Sequence, residues 1–375
     1  MQNEETKEIL PLTGLRFIAA LFVFVFHVHL RWPLATELPF LANIIGQGAV
    51  GMSLFFVLSG YVLALRYGDG KGDYFAYLRN RFSRIYPIYA VVALLTLPWI
   101  GVSLNADTAY MVVRQAAAIC VLVFANIFLI QAWFPAMFAY WNNGGSWSIS
   151  VEAFCYVLLP FILMRLHGRS TKILGCAALA AYALAVFPGM SIILLGGDWL
   201  PIYSMPIFRL PEFVLGVCVC FAVRRLRYPP GTVAALQLLA SFLLLVYLGI
   251  VGNRLPGWIT HNWIVLPVIA LTIFSVAQSY GILSRVLATP VLVWTGKISY
   301  SFYSFQLLIL LLLKSYHADL VRFLPLLGNN WILLAASFSV LLALSAAGYY
   351  WIEEPARRWL KAWRPPSKSP VASKA

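Results

Sequence analysis

Long polar stretches are what this sequence lacks. Of its 375 residues 11% are charged and 62% hydrophobic, and acidic side chains are scarcest, with 13 Asp and Glu in all. A water-soluble domain carries about 25% charged residues, so there is too little polarity here to cover a soluble surface. Cysteine pairs at metal spacing are also missing. Cys120, Cys155, Cys176, Cys218 and Cys220 lie in apolar runs, without a CxxC pair or a histidine at ligand spacing. That excludes a disulfide framework and a zinc site and leaves them as small hydrophobes. The N-terminus carries Glu4, Glu5 and Glu8 against one Lys7, and no small-residue cleavage site follows the first apolar run. A removed signal peptide is therefore not expected, and the first helix should stay as an anchor. Internal repeats, frequent in transporters, are absent as well.

What is present is a succession of apolar runs, most of bilayer-crossing length. Eleven can be drawn, at about 12–32, 48–66, 85–104, 112–133, 147–165, 173–195, 205–223, 233–251, 262–280, 299–316 and 331–352. A helix needs roughly 17 to 25 apolar residues to cross a bilayer. The 27 Lys and Arg give a net charge of +14, and they gather in short connections: 66–84, 165–172, 224–227, 285–297 and the tail from 357. That is the positive-inside pattern and not a nucleic-acid surface. Three runs separate the first two basic connections, and an odd number of crossings would place them on opposite faces. The run 112–133, with Arg114, Gln115, Asn126 and Gln131, is expected to be the one that does not cross, a re-entrant or broken helix lining a cavity. The expected fold is thus an all-α polytopic membrane bundle of ten spans plus that segment, with both termini cytoplasmic. Residues 1–363 form the membrane domain, and 364–375, rich in Pro, Ser and Lys, form a disordered basic tail able to touch anionic lipid.

Few residues inside this bundle can do chemistry. Arg16 and His27 are eleven positions apart, close to three helical turns, so they share one face about 16 Å apart along the axis. An intramembrane histidine is costly and points to proton chemistry, with hydrogen-bonded helix packing as the plain alternative. Arg81 and Arg84 share a face three residues apart at the basic mouth of the third run, a spacing that suits phosphate, or an ordinary positive-inside anchor. Gly68-Asp69-Gly70-Lys71-Gly72 lacks the strand-to-helix setting of a phosphate loop and reads as a connection. Glu152, after Trp147-Ser148-Ile149-Ser150-Val151, is a rare carboxylate near hydrocarbon that either caps its helix or orients an imidazole or sugar hydroxyl. Ser59 and Gly60 allow close helix approach, with Tyr61 adding a polar tip. Arg209 and Glu212, at i and i+3, read as an intrahelical ion pair.

These pieces together resemble the acyltransferase type 3 family of polytopic bacterial enzymes that O-acylate carbohydrates and some natural products. They are Leu12-Thr13-Gly14-Leu15-Arg16 with His27, Phe55-Phe56 with Ser59-Gly60-Tyr61, Arg81 with Arg84, and Trp147-Ser148 with Glu152. Arg209 with Glu212, Ile298-Ser299-Tyr300-Ser301 with Tyr303, and Glu354-Pro355 complete the series, in the family's order. Two departures stand out: Ala153 follows Glu152 where the family has a second Glu, and Gln306 stands where it often has a histidine.

The resemblance implies a ten-helix membrane domain using acetyl-CoA or a related acyl-CoA, with His27 essential and Glu152 its catalytic companion. Arg81 and Arg84, with Arg16, would hold the donor, and Tyr61 and Trp147 the substrate. No metal is implied. The expected product is an O-acetylated carbohydrate or glycolipid at a bacterial inner membrane. Some relatives carry a C-terminal esterase-like domain, so this membrane domain is expected to work alone or with a partner protein of glycan assembly. A proton-coupled transporter or flippase using His27 and Glu152 is the competing expectation, set back by the missing repeats.

Overall fold

The computed structural model describes residues 8–68, 73–102 and 108–362. Glu4, Glu5, Lys7, the connection 69–72 and the tail from 364 lie outside the described residues. Within them the chain is helical throughout, with no strand. Among the described residues ten helical segments are long and apolar enough to cross a membrane, and Ala109–Ile127, in the run expected not to cross, is one of them. The protein is a polytopic membrane helix bundle.

Helix boundaries follow local chemistry. Prolines sit in the first turns of α1 (Leu10–His29), α2 (Pro39–Gly46), α9 (Pro206–Arg225), α10 (Pro230–Val251) and α14 (Pro290–Phe323), where a missing N–H costs nothing. Side-chain caps open α4 (Tyr74–Leu95, Asp73), α5 (Ala109–Ile127, Thr108), α7 (Thr171–Leu194, Ser170) and α15 (Asn330–Gly348, Asn329). The remaining elements are α3 (Val50–Tyr67), α6 (Asn143–Leu166), α8 (Trp199–Ser204), α11 (Gly257–Asn262), α12 (Val265–Val276), α13 (Gly281–Leu287) and α16 (Glu354–Ala362).

Three of these differ from the apolar runs. α4 starts eleven residues before the run at 85 because Asp73 caps it there, so Arg79, Arg81 and Arg84 are on the helix and not before it. The run 262–280 holds one helix, α12, with the short α11 ending where the run begins. The run 299–316 is the middle of the 34-residue α14.

The centre is built from α1, α3, α6, α9 and α14. α3 and α9 approach until a Cβ at Gly60 would lie 2.0 Å from the carbonyl oxygen of Phe213, and one at Gly216 would lie 1.9 Å from that of Val57. Only glycine allows this crossing, as the small pair Ser59-Gly60 led one to expect. α1 and α14 lie side by side in the same direction, with Thr13 against Gly296, Phe24 against Phe302 and Trp32 against His317.

α5 ends beside the middle of α4: Tyr86 donates to the carbonyl of Ile127 at 3.2 Å, and Tyr89 donates to Asn126 at 2.9 Å. The chain then passes through short 3-10 turns, where Gln131 donates to the Ser146 carbonyl at 3.2 Å, and returns to the far end of α4, where Trp141 donates to Ala93. Asn126 and the Gln131 amide nitrogen are thus held by Tyr89, the Leu122 carbonyl and the start of α6. For that reason the segment does not line the large cavity described next, contrary to the sequence expectation.

Candidate active site

Three of the basic connections, 66–84, 285–297 and the tail from 357, contribute cations to one cavity of about 750 Å³, within the usual range for a ligand site. Its mouth is marked by Glu8, Arg66 and Lys297, all exposed. Its wall follows α3 from Arg66 to Met52, fourteen residues and so about 21 Å along the helix. Deeper groups are Arg16 from α1, Arg81 and Arg84 from α4, Ser148, Glu152 and Tyr156 from α6, and Ser299, Tyr300 and Tyr303 from α14.

Six cations, Arg16, Arg66, Arg81, Arg84, Lys297 and Arg357, and three carboxylates, Glu8, Glu152 and Glu353, line the wall. The deep arginines are not neutralised by direct pairs. Arg81, 7% exposed, donates to the Tyr67 hydroxyl at 3.2 Å and lies over that ring, while its Nε has no partner. Among the described residues, Arg16 and Arg84 make no hydrogen bond and no ion pair within 4.0 Å; they feel the charge of Glu152, and Arg84 also that of Glu353. Glu152 is held elsewhere, accepting from Tyr156 at 2.6 Å and from Ser59 at 3.3 Å. A guanidinium inside a membrane bundle without a carboxylate partner is unfavourable, so three around one cavity, Arg81 buried and Arg16 and Arg84 half-buried, fit an anionic ligand with several charges.

The cavity brings together four of the seven residues singled out from sequence: Arg16, Arg81, Arg84 and Glu152. His27 is on the cavity-facing side of α1 but outside the wall, almost three turns beyond Arg16. It is half-buried, its ring lies 5.2 Å from that of Phe26, and its Nδ1 is buried without a partner. Glu152 makes no hydrogen bond to it; the two hydrogen bonds that Glu152 accepts, from Tyr156 and Ser59, both end on Oε1. Tyr61 is buried in the core and outside the cavity wall. Trp147 lies behind the wall, packing on Phe56 at 6.0 Å and on Arg209 at 5.5 Å.

Glu353 was not singled out in the sequence. It is 1% exposed, accepts from Ser301 at 2.8 Å and sits on a π-helical turn, Tyr349–Glu353. The wider turn aims Glu353 into the cavity, while the next residue, Glu354, pairs with Arg357 at 2.8 Å and Arg358 at 3.0 Å. Such turns concentrate at functional sites. The available signal was a carboxylate closing an apolar run beside the quoted Glu354-Pro355.

Among the described residues no group of three or more His, Cys, Asp or Glu side chains is gathered as a metal site would require. Among the described residues the fully buried ion pair is the expected one: Arg209 and Glu212 meet at 2.6 Å.

Comparison with known sequences adds relatives to this geometry. A protein of Staphylococcus aureus (strain COL) named "Putative O-acetyltransferase" is 26% identical over 94% of this chain and 58% of its own length. Acyltransferase MdmB of Streptomyces mycarofaciens is 31% identical over 61% of this chain and 62% of its own. A Bacillus subtilis (strain 168) protein named "Putative peptidoglycan O-acetyltransferase" is 24% identical over 80% of this chain and 48% of its own. The chain thus spans about half to three fifths of the length of these relatives. No solved structure matches it. The family description "acyltransferase domain" matches residues 10–350, which hold Arg16, Arg81, Arg84 and Glu152 of the cavity, and the chain belongs to the acyltransferase type 3 family.

Proposed function

We propose that this protein is a membrane-bound O-acyltransferase that moves an acetyl or other short acyl group from acyl-CoA to a hydroxyl of a carbohydrate or glycolipid. The observation that carries this reading is the set of unpaired guanidiniums, Arg16, Arg81 and Arg84, around a cavity open at the basic end. The phosphates of CoA are the anionic, multiply charged ligand such a set suits. The cavity is also long enough for the extended arm that carries the thioester away from those phosphates.

The remaining residues divide the chemistry. Beyond the blind end, His27 takes the proton of the acceptor hydroxyl as its oxygen attacks the thioester carbonyl. The carbon–sulfur bond breaks, an ester forms, and the CoA thiolate leaves and is protonated. Glu152, tied to Tyr156 and Ser59, sets the charge balance of the donor cavity. No histidine is paired with a Ser or Cys in the hydrogen bonds of the described residues, in keeping with direct transfer. The acceptor class rests on the O-acetyltransferase names of the relatives and the peptidoglycan substrate named for one of them. A multi-pass location in a bacterial inner membrane, with a partner protein of glycan assembly, completes the reading.

The test is radiolabelled acetyl transfer from acetyl-CoA to envelope glycans by purified protein in lipid, with the His27→Ala variant beside it. Transfer by the wild type and none by the variant supports the reading. Wild-type protein that moves no label, or moves a substrate with protons and without CoA, overturns it.

A further inference from the structure

The cavity ends blindly, and the residues that end it are specific. Furthest from the mouth, its wall consists of Met52, Phe55 and Phe56 from α3, Ser148 from α6 and Tyr303 from α14. Gly51 lies against Ala19 and Val23, and Phe302 contacts both Phe17 and Phe24. The blind end is therefore level with the turns of α1 just past Arg16. His27 is almost three turns past Arg16, and a helical side chain leans over the turn before its own Cα, so its imidazole hangs back toward that end wall.

Most of the end wall is immobilised. Tyr303 donates to the Gly145 carbonyl at 3.0 Å and so accepts from Ser148, 2.7 Å away, which ties α14 to α6. Phe56 is 2% exposed and backed by Trp147 and the Arg209 guanidinium. Phe55 differs. It is half-buried among buried neighbours, its ring reaches across to Tyr303 at 5.9 Å, and no polar group holds it.

We propose that Phe55, braced by Tyr303, is the specificity-determining residue for the acyl group. This rests on the reading of the cavity as an acyl-CoA site. The thioester arrives at the blind end with its acyl chain pointing at the Phe55 ring, and a chain of several carbons collides with it. Shortening the side chain opens apolar space where each added methylene is sheltered from water, and discrimination by such pockets runs to roughly tenfold or more per group.

The experiment measures binding of CoA, acetyl-CoA, butyryl-CoA and hexanoyl-CoA to purified protein in detergent by calorimetry, for wild type, Phe55→Ala, Phe55→Leu and Tyr303→Phe. The expected result is wild-type affinity that falls from acetyl to hexanoyl, reversed in Phe55→Ala by roughly tenfold or more in the ratio and partly in Phe55→Leu. Tyr303→Phe, which keeps the ring, should preserve the wild-type order, and CoA itself should bind all four proteins alike. If Phe55→Ala does not yield folded protein, Phe55→Leu decides. An unchanged ratio in the folded variants, or wild-type protein indifferent to chain length, overturns the proposal. Wild-type protein that binds no CoA at all overturns the donor-site reading instead.

Discussion

Two groups of arginine inside this bundle have opposite environments. Arg209 is 1% exposed and has a carboxylate partner: it pairs with Glu212 at 2.6 Å and donates to the Tyr203 carbonyl at 2.8 Å. It also lies 4.5 Å from the Tyr203 ring centroid, 4.6 Å from that of Trp258 and 5.5 Å from that of Trp147. Arg16, Arg81 and Arg84 have nothing comparable. Their neighbours are a cavity, carboxylates held by other groups and, for Arg81, one tyrosine. The same side chain thus does two jobs. Where it has a carboxylate partner and packed ring faces, arginine joins α8, α9 and α11 to α3 and α6; where it has not, it waits for a ligand.

This contrast can be broken by substitution, and the largest effect is expected beyond both arginine groups. His27→Ala should lower acyl transfer by roughly 10²–10⁴-fold, the usual contribution of a general base, while calorimetric CoA affinity stays at the wild-type value. If transfer persists, the histidine is a packing residue and the reaction lies elsewhere.

Next in size is the loss of a paired arginine. Arg209→Ala leaves Glu212 buried without its cation and should destabilise the protein by about 3–5 kcal/mol, read as a lower unfolding temperature and less monodisperse protein in detergent. Arg84→Ala should show the converse. It removes an uncompensated charge, so the unfolding temperature should hold or rise, while CoA binding weakens by an amount on the order of 1.5–3 kcal/mol, the worth of a hydrogen bond to a charged group. A thermal loss as large as that of Arg209→Ala would show that Arg84 is structural, and the distinction would fall.

The smallest effect concerns the cavity's negative charge. Glu353→Gln can still accept from Ser301, and it removes one of the charges that offset Arg84. CoA affinity should rise by a few fold, in line with a charge interaction of roughly 1 kcal/mol in a wet cavity, and the gain should shrink as salt is added. Weaker binding would mean that Glu353 positions Arg84 and does more than oppose it.

How much of this was legible in the sequence depends on whether a feature is local. Arg209 with Glu212 and Arg81 with Arg84 are i, i+3 pairs, so their shared faces followed from helical spacing alone. The bundle itself followed from runs of apolar residues. What spacing does not carry is which neighbour a face meets. Tyr61 has the polar tip of a ligand contact, yet it stands in the core one residue after Gly60, whose side of α3 is packed against α9. Trp147 and Ser148 are adjacent, and the helix turns one toward Arg209 and the other toward the cavity. Glu353 depends on a π-helical turn that no 3.6-residue pattern announces. The start of α4 was hidden because Arg79, Arg81 and Arg84 interrupt its first half and an unbroken apolar run begins only after them.

The central claim is that the unpaired arginines form an acyl-CoA site, and calorimetric titration of CoA into the purified protein tests it most directly. The prediction is saturable binding at one site per chain, weakened at least about tenfold in Arg84→Ala, as the loss of about 1.4 kcal/mol requires. Arg209→Lys, in whatever fraction stays folded, should keep the wild-type affinity. Absence of saturable binding by the wild-type protein, or equal affinity in wild type and Arg84→Ala, would contradict the account.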